Sequence, residues 1–149
     1  MQIFPALGNY ETFSKNLFPI ESSQEEIAWY YNELEEQWLK FLPKETMATV
    51  KNGGFYSVSA ESGFRVISLN TNYCNFRNWW LLINITDPFN QLQWLTNELF
   101  NAENSGEKVH IIGHITPGDQ QCNKVWSKNY HRIINRYKKK IFDWFFHDF

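Results

Sequence analysis

The most constraining feature of the sequence is VHIIGH, residues 109–114, a buried-strand pattern between two segments with helical spacing of apolar residues. The helix before it is predicted to begin at Asp87 and Pro88, because Asp favours the N-cap and Pro the first helical position. The helix after it is predicted over residues 129–146. A strand held between two helices is typical of α/β folds.

The rest of the chain extends this alternation. Residues 2–7 are predicted to form a short buried strand, and Ser22 and Ser23 to begin a helix that ends at Leu42. Residues 52–71 contain two strand patterns joined by the turn sequence ESGF, which indicates a hairpin. The order strand, helix, two strands, helix, strand, helix predicts an α/β fold with helices packed on a mixed β-sheet.

Two predicted strand ends carry residues capable of chemistry, and in α/β sheets ligands bind beyond such ends. His114 follows Gly113, and a neutral imidazole at a strand end is either a metal ligand or a hydrogen-bonded loop histidine. Asn9 follows Gly8, and its amide oxygen is either a metal ligand or part of a turn.

Composition excludes several classes of function. A hydrophobic content of 43% supports a packed core. The formal net charge of -2 gives no electrostatic basis for binding nucleic acid. No run of 18 apolar residues is present, so no transmembrane segment is expected, and these residues contain no signal-peptide pattern.

The two cysteines and one sequon indicate the redox state of the cellular compartment in which the protein folds. Cys74 and Cys122 are too far apart in sequence for a CxxC motif, so they form one disulfide or two buried thiols. Asn84, Ile85 and Thr86 form an N-glycosylation sequon. Together these features favour an oxidising compartment.

Six segments of the chain resemble those of the acid sphingomyelinases, which are calcineurin-like metallophosphoesterases, and they occur in the same order. The segments are ALGNYE, GGFYSVS, VISLNTNYC, WWLLINITDPFNQLQWL, KVHIIGHITPG and NYHRIINRY. The resemblance runs nearly end to end. It implies that residues 1–149 are the C-terminal portion of a metallophosphoesterase catalytic domain, incomplete at both ends, with a calcineurin-like sandwich fold.

The resemblance also implies a chemistry. Members of this family hold two zinc ions that activate water for hydrolysis of sphingomyelin to ceramide and phosphocholine. They are secreted or lysosomal. By position, Asn9 and His114 match zinc ligands, Cys74 and Cys122 match a disulfide pair, and Asn84 matches a glycosylation site.

The chain departs from the family pattern at three places. Tyr10 stands where the family has a histidine that protonates the leaving oxygen, and a phenol with a pKa of about 10 carries no positive charge near neutral pH. Tyr10 is therefore either a degraded catalytic position or a packing aromatic. The Gly-His-Thr-His element is not found in WFFHDF, residues 144–149, and no Asp-x-His motif precedes Asn9.

Two ligands do not complete a four-coordinate zinc site, so we expect the chain alone to be inactive. One alternative is a pseudoenzyme or a lipid- or protein-binding module without hydrolase activity. Another is an enzyme for a nucleotide-like phosphodiester, which the distinctive INITDPFNQLQWL segment disfavours by resemblance.

Two further segments are candidates for lipid contact, in keeping with sphingomyelin or a membrane lipid surface as the partner. NWWLLI, residues 78–83, is either a lipid-facing patch or part of the core. RYKKK, residues 136–140, is either a contact for anionic headgroups or a solvated helix face. Nothing in the sequence indicates an oligomeric state.

Overall fold

A computed structural model describes residues 2–12, 14–20 and 24–146 of the chain. Four α-helices and four strands occur within this part. The helices are α1 (Gln24–Trp38), α2 (Met47–Gly53), α3 (Gln91–Ser105) and α4 (Lys124–Tyr137). The strands are β1 (Tyr56–Glu61), β2 (Phe64–Ser68), β3 (Lys108–Gly113) and β4 (Ile141–Phe146).

The four strands form one mixed sheet in the order β1-β2-β3-β4. β1 and β2 are an antiparallel hairpin, as predicted, whereas β2 pairs with β3 and β3 with β4 in parallel. Helix α3 connects β2 to β3, and helix α4 connects β3 to β4. The predicted fold class, α/β with helices on a mixed sheet, is therefore confirmed.

Strand β2 divides the core because its successive side chains point to opposite faces of the sheet. Ile67 on one face packs with side chains of α3 and α4, including Leu95 and Trp126. Val66 on the other face packs with Trp38 at the end of α1 and Val50 of α2. Helices cover both faces, and none of those in the described residues is long and apolar enough to cross a membrane.

The predicted strand over residues 2–7 is wrong. This segment has no regular secondary structure and joins no sheet, although Leu7 is buried. The carbonyl of Pro5 accepts hydrogen bonds from the Tyr56 and Ser68 hydroxyls at 2.8 and 3.1 Å. Proline has no N–H to give a ladder, and side-chain bonds anchor the segment instead.

The helix predicted over residues 129–146 is also wrong in its second half. Helix α4 ends at Tyr137, Lys138–Lys140 turn the chain, and residues 141–146 form β4 against β3. The apolar spacing of IFDWFF suits a helix face or a strand, and its aromatic content favours a strand. The strand forms because the edge of β3 has backbone N–H and C=O groups with which residues 141–146 can pair.

The first half of the chain contains one further correction and one element that was missed. Helix α1 ends at Trp38 rather than at Leu42. Helix α2 was not predicted, and Gly54 ends it in a left-handed conformation with φ of 72°. The predicted helix start at Ser22 and Ser23 lies outside the described residues.

The predicted capping role of Asp87 is confirmed, but α3 begins at Gln91 rather than at Pro88, because Phe89 and Asn90 have positive φ and separate the 3-10 segment Pro88–Asn90 from the helix. The Asp87 carboxylate accepts hydrogen bonds from the backbone N–H groups of Leu92 and Gln93 at 2.7 and 3.1 Å. The buried amide of Gln91 bonds reciprocally with the backbone of Asn70, accepting at 2.7 Å and donating at 3.2 Å. Gln91 therefore satisfies both backbone groups of a fully buried residue just beyond β2.

Replacing Gln91 by leucine is expected to lower the free energy of unfolding by about 2 to 4 kcal/mol, because two buried backbone groups lose their partners. Denaturant titration of the chain measures this loss. The matched control is Gln93→Leu, two residues along α3, where the amide is exposed and donates to Oδ1 of Asn97 at 3.4 Å. The control should cost less than about 0.5 kcal/mol. Equal losses in the two variants would contradict this role for Gln91.

Candidate functional site

The candidate site lies where the parallel strands β2 and β3 end. His114 directly follows Gly113, the last residue of β3, and Thr71 lies three residues beyond β2. Because β2 and β3 are parallel, the carboxyl ends of the two strands lie at the same end of the sheet. The loop that contains Asn9 reaches the same end, so the structure brings two of the predicted site residues, Asn9 and His114, together.

Asn9 and His114 are in direct contact. The Nε2 atom of His114 lies 3.0 Å from Oδ1 of Asn9, a hydrogen bond between residues 105 apart in sequence. Since an amide oxygen only accepts, the imidazole donates through Nε2. Asn9 is buried and His114 is half-buried, so the pair sits at the boundary between core and solvent.

A chain of buried asparagines sets the orientation of the Asn9 amide. Nδ2 of Asn9 donates to Oδ1 of Asn16 at 3.0 Å, and Nδ2 of Asn75 donates to the same oxygen at 2.8 Å. The backbone N–H of Asn16 also bonds to the carbonyl of Asn9 at 2.9 Å. The bond to Asn16 uses the nitrogen end of the Asn9 amide and leaves its oxygen facing His114, and the other two bonds hold Asn16 in place.

Thr71 holds the backbone beside His114. Its Oγ1 accepts hydrogen bonds from the N–H groups of His114 and Ile115 at 3.2 and 2.7 Å. Thr71 is fully buried, so these bonds are shielded from water. The position of the imidazole is therefore fixed from the loop after β2 as well as from β3.

The disulfide joins the two loops that carry the site. Cys74 in the loop after β2 is bonded to Cys122 in the loop after β3, as the resemblance implied. Backbone bonds flank it, from Asn123 N–H to the Cys74 carbonyl at 2.6 Å and from Phe76 N–H to the Gln121 carbonyl at 2.9 Å. The cross-link thus restricts separation of the Thr71 loop from the His114 loop.

The donor atoms present allow a test of how well zinc fits here. Two ligand atoms in a tetrahedral zinc shell lie about 3.3 Å apart, close to the observed separation of Asn9 Oδ1 and His114 Nε2. Coordination would require Nε2 without its proton, which the other imidazole tautomer provides. In the described part of the chain, however, no three His, Cys, Asp or Glu side chains are grouped to hold a metal ion. The pair fits as two ligands, and the described residues do not close the site.

Tyr10 is placed differently from Asn9. It is 65% exposed, and its hydroxyl accepts a hydrogen bond from the Lys15 ammonium. The ammonium also lies 3.7 Å from the centre of the phenol ring. The interpretation of Tyr10 as a packing aromatic is therefore not supported by its exposure, and the phenol has a cation beside it that the sequence did not indicate.

A second group of polar side chains connects α1 and the end of α2 to the loop after β2. The Tyr31 and Tyr73 hydroxyls are 2.7 Å apart, and Tyr73 donates to the carbonyl of Gly53 at 3.1 Å. Burial raises the pKa of Tyr31, so its phenol remains neutral. This network ties α1 to the loop after β2 through neutral groups.

The remaining predicted residues lie apart from this pair. Asn84 is half-exposed, and its Oδ1 accepts hydrogen bonds from the N–H groups of Thr86 and Asp87 at 3.2 and 3.4 Å. His147, a remnant candidate for the missing histidine element, lies outside the described residues.

Sequence reasoning missed the residues that orient the pair. Asn16, Thr71 and Asn75 are buried polar residues in loops, and Asn72 beside them has its Oδ1 without a hydrogen-bond partner in the described structure. The available signal was the density of asparagine in LNTNYCN, residues 69–75, directly after a predicted strand. Buried loop asparagines usually exist to satisfy neighbouring backbone groups or to present a side chain.

Comparison with known proteins gives a consistent set of relatives, although no protein-family model matches the chain. Over 97% of its length, the chain is 49% identical to sphingomyelin phosphodiesterase of Bos taurus and 48% identical to that of Homo sapiens. Over 94% of its length, it is 41% identical to sphingomyelin phosphodiesterase B of Dictyostelium discoideum. The chain spans 23%, 23% and 22% of these relatives, respectively.

Proposed function

Since this chain is homologous over nearly its whole length to one segment of the sphingomyelin phosphodiesterases, we propose that it serves as part of a catalytic domain that hydrolyses sphingomyelin to ceramide and phosphocholine. The observation that carries the proposal is the contact between Asn9 and His114 at 3.0 Å. These residues match the family's zinc-ligand positions by resemblance, and the fold brings them together across 105 residues.

In this proposal Asn9 and His114 are two of the ligands of a zinc site, and the other ligands come from sequence beyond the described residues. A bound zinc would activate water and offset the negative charge of the phosphodiester. Asn16 and Asn75 keep the Asn9 oxygen turned toward His114. Thr71 holds the His114 backbone, so zinc binding would need a change of the imidazole tautomer and loss of its bond to Asn9, but no movement of the backbone.

The proposal includes an oxidising compartment, secreted or lysosomal. The disulfide between Cys74 and Cys122 supports it, because such bonds persist outside reducing compartments. Glycosylation of Asn84 belongs to the same proposal. The half-exposed side chain is compatible with it.

A second candidate function is a binding module without hydrolase activity. Two observations favour it, namely the phenol of Tyr10 at the position of the family's histidine and the incomplete ligand set in the described residues. Under this reading the chain retains the fold and a surface for a partner but does not cleave a phosphodiester.

A chimaera tests the proposed function, because the chain spans only about a quarter of its relatives. The matching segment of the Bos taurus enzyme is replaced by this chain, and zinc content and sphingomyelin hydrolysis are measured together. We expect His114→Ala in the chimaera to lower zinc affinity and hydrolysis by more than about 100-fold, since loss of even an outer partner of a metal ligand costs about 10–100-fold.

The matched control is His131→Ala, which removes an exposed imidazole from α4 and should leave both quantities unchanged. Circular dichroism checks that each chimaera is folded. A folded chimaera whose zinc content is the same with and without His114 would contradict the ligand assignment. Hydrolysis of a nucleotide phosphodiester in place of sphingomyelin would instead support the nucleotide alternative.

A further inference from the structure

Asn72 joins the loop after β2 to the segment that carries Asn9. Its side chain is fully buried, and Nδ2 donates hydrogen bonds to the carbonyl of Gly8 at 3.3 Å and to that of Leu7 at 3.5 Å. These bonds hold the backbone immediately before Asn9 against a loop that is 64 residues away from Gly8 in sequence.

The backbone of Asn72 is itself held in place. Its carbonyl oxygen accepts hydrogen bonds from the N–H of Asn75 at 3.2 Å and from Nδ2 of Asn78 at 3.3 Å. Oδ1 of Asn70 accepts from the N–H and from Nδ2 of Asn72, at 3.2 and 2.9 Å. Gln91 of α3 holds the Asn70 backbone in turn. A continuous series of hydrogen bonds therefore leads from α3 through Asn72 to the candidate site.

The amide of Asn72 is not explained by stability alone. Its Oδ1 atom is buried and has no hydrogen-bond partner in the described part of the structure, and such an oxygen destabilises a fold. Leucine has nearly the same size and would bury no oxygen without a partner, but it has no N–H group to donate. The hydrogen bonds that Nδ2 donates are therefore what requires asparagine at this position.

We propose that Asn72 is a positioning residue, which acts on the candidate site through Gly8. By holding the Gly8 carbonyl, it fixes the backbone of Asn9 and keeps Oδ1 of Asn9 3.0 Å from Nε2 of His114. The buried asparagines described above orient the amide of Asn9, whereas Asn72 fixes the position of its backbone. The effect of Asn72 on metal binding rests on the proposed zinc site, but its effect on the contact between Asn9 and His114 does not.

Proton exchange in the chain alone tests this proposal without zinc or substrate. The Nε2 proton of His114, which bonds to Asn9, is followed by NMR in chain labelled with ¹⁵N-histidine, and its signal is assigned by its loss in His114→Ala. We expect Asn72→Leu to speed exchange of this proton with water by about tenfold, which corresponds to the free energy of one hydrogen bond. Asn72→Ala should give the same increase and serves as the test if the leucine variant does not fold.

The matched control is Leu99→Ala, which removes a fully buried apolar side chain from α3 and destabilises the fold through lost packing. Denaturant titration checks that the variants are folded and compares their losses of stability. Exchange of the His114 proton should be unchanged in the control. The proposal is wrong if Asn72→Leu and Asn72→Ala leave the exchange unchanged, or if Leu99→Ala speeds it equally for the same loss of stability.

The chimaera tests the consequence for metal binding. We expect Asn72→Leu to lower zinc affinity by about 10- to 100-fold, the cost of losing a residue that orients a metal ligand. Excess zinc should restore hydrolysis, because the variant displaces a ligand and removes none. Leu99→Ala should leave zinc affinity unchanged.

The failure of this proposal is distinguishable from the failure of the proposed function. A chimaera that binds no zinc even with Asn72 present would contradict the proposed function, and proton exchange in the chain would then decide the role of Asn72. Unchanged zinc affinity in an Asn72→Leu chimaera that does bind zinc would overturn the role of Asn72 and leave the proposed function intact.

Discussion

Replacing Tyr10 by histidine in the chimaera is expected to raise the rate of sphingomyelin hydrolysis by about 10²–10⁴-fold, the usual contribution of a positioned general acid. The acid sphingomyelinase pattern has a histidine at this position. A histidine with a pKa of about 6.5 can supply both a proton and a positive charge near neutral pH, whereas a phenol with a pKa of about 10 supplies neither efficiently.

The pH dependence of the gain distinguishes an acid from a packing effect. A general acid works only when protonated, so the gain should be present at low pH and should disappear as pH rises through the imidazole pKa of about 6.5. Rates of hydrolysis measured across this range for the chimaera that retains Tyr10 and for its Tyr10→His variant give the difference directly.

The matched control is Trp29→His, because Trp29 and Tyr10 are both 65% exposed. It should leave the rate unchanged. The contact between Lys15 and Tyr10 suggests the result that would contradict this prediction. If Tyr10→His gives no gain while Lys15→Met lowers the rate, the ammonium beside the phenol already supplies the positive charge, and position 10 is not a degraded acid.

The parts of the fold that were predictable depend on local signals. The β1–β2 hairpin has a turn with Gly63 in a left-handed conformation, and α3 has its Asp87 cap, so neighbouring residues specify each element. Strand β3 is short and apolar and lies between helices. The last segment was mistaken because residues 141–146 suit two structures, and only pairing with β3, distant in sequence, selects the strand.

The candidate site was predictable to a smaller extent. Asn9 and His114 were identified from a strand-end pattern and a family resemblance, although each alone was better explained as a loop residue and the strand predicted before Asn9 is not formed. Their contact depends on parallel pairing of β2 with β3, and the sequence around Asn9 and His114 does not specify that pairing. Asn16 was missed because its role requires a left-handed backbone, with φ of 69°, and partners from two separate loops.

Removing the disulfide is expected to lower the free energy of unfolding by about 4 kcal/mol, from the loop entropy of a cross-link between residues 48 apart. The variant is Cys74→Ala, Cys122→Ala, and denaturant titration of the chain measures the loss. Both sulfurs are buried, so the substitution adds no polar group to the core. The loss corresponds to about a thousandfold shift toward the unfolded state.

A reductant provides the control for this experiment. It should destabilise the native chain by a similar amount and should leave the double alanine variant unchanged, since only the former has a bond to break. The same midpoint for oxidised and reduced native chain would contradict the prediction. Because the bond connects the loop of Thr71 to the loop that follows His114, the destabilised variants should also lose zinc affinity in the chimaera, whereas Gln93→Leu should not.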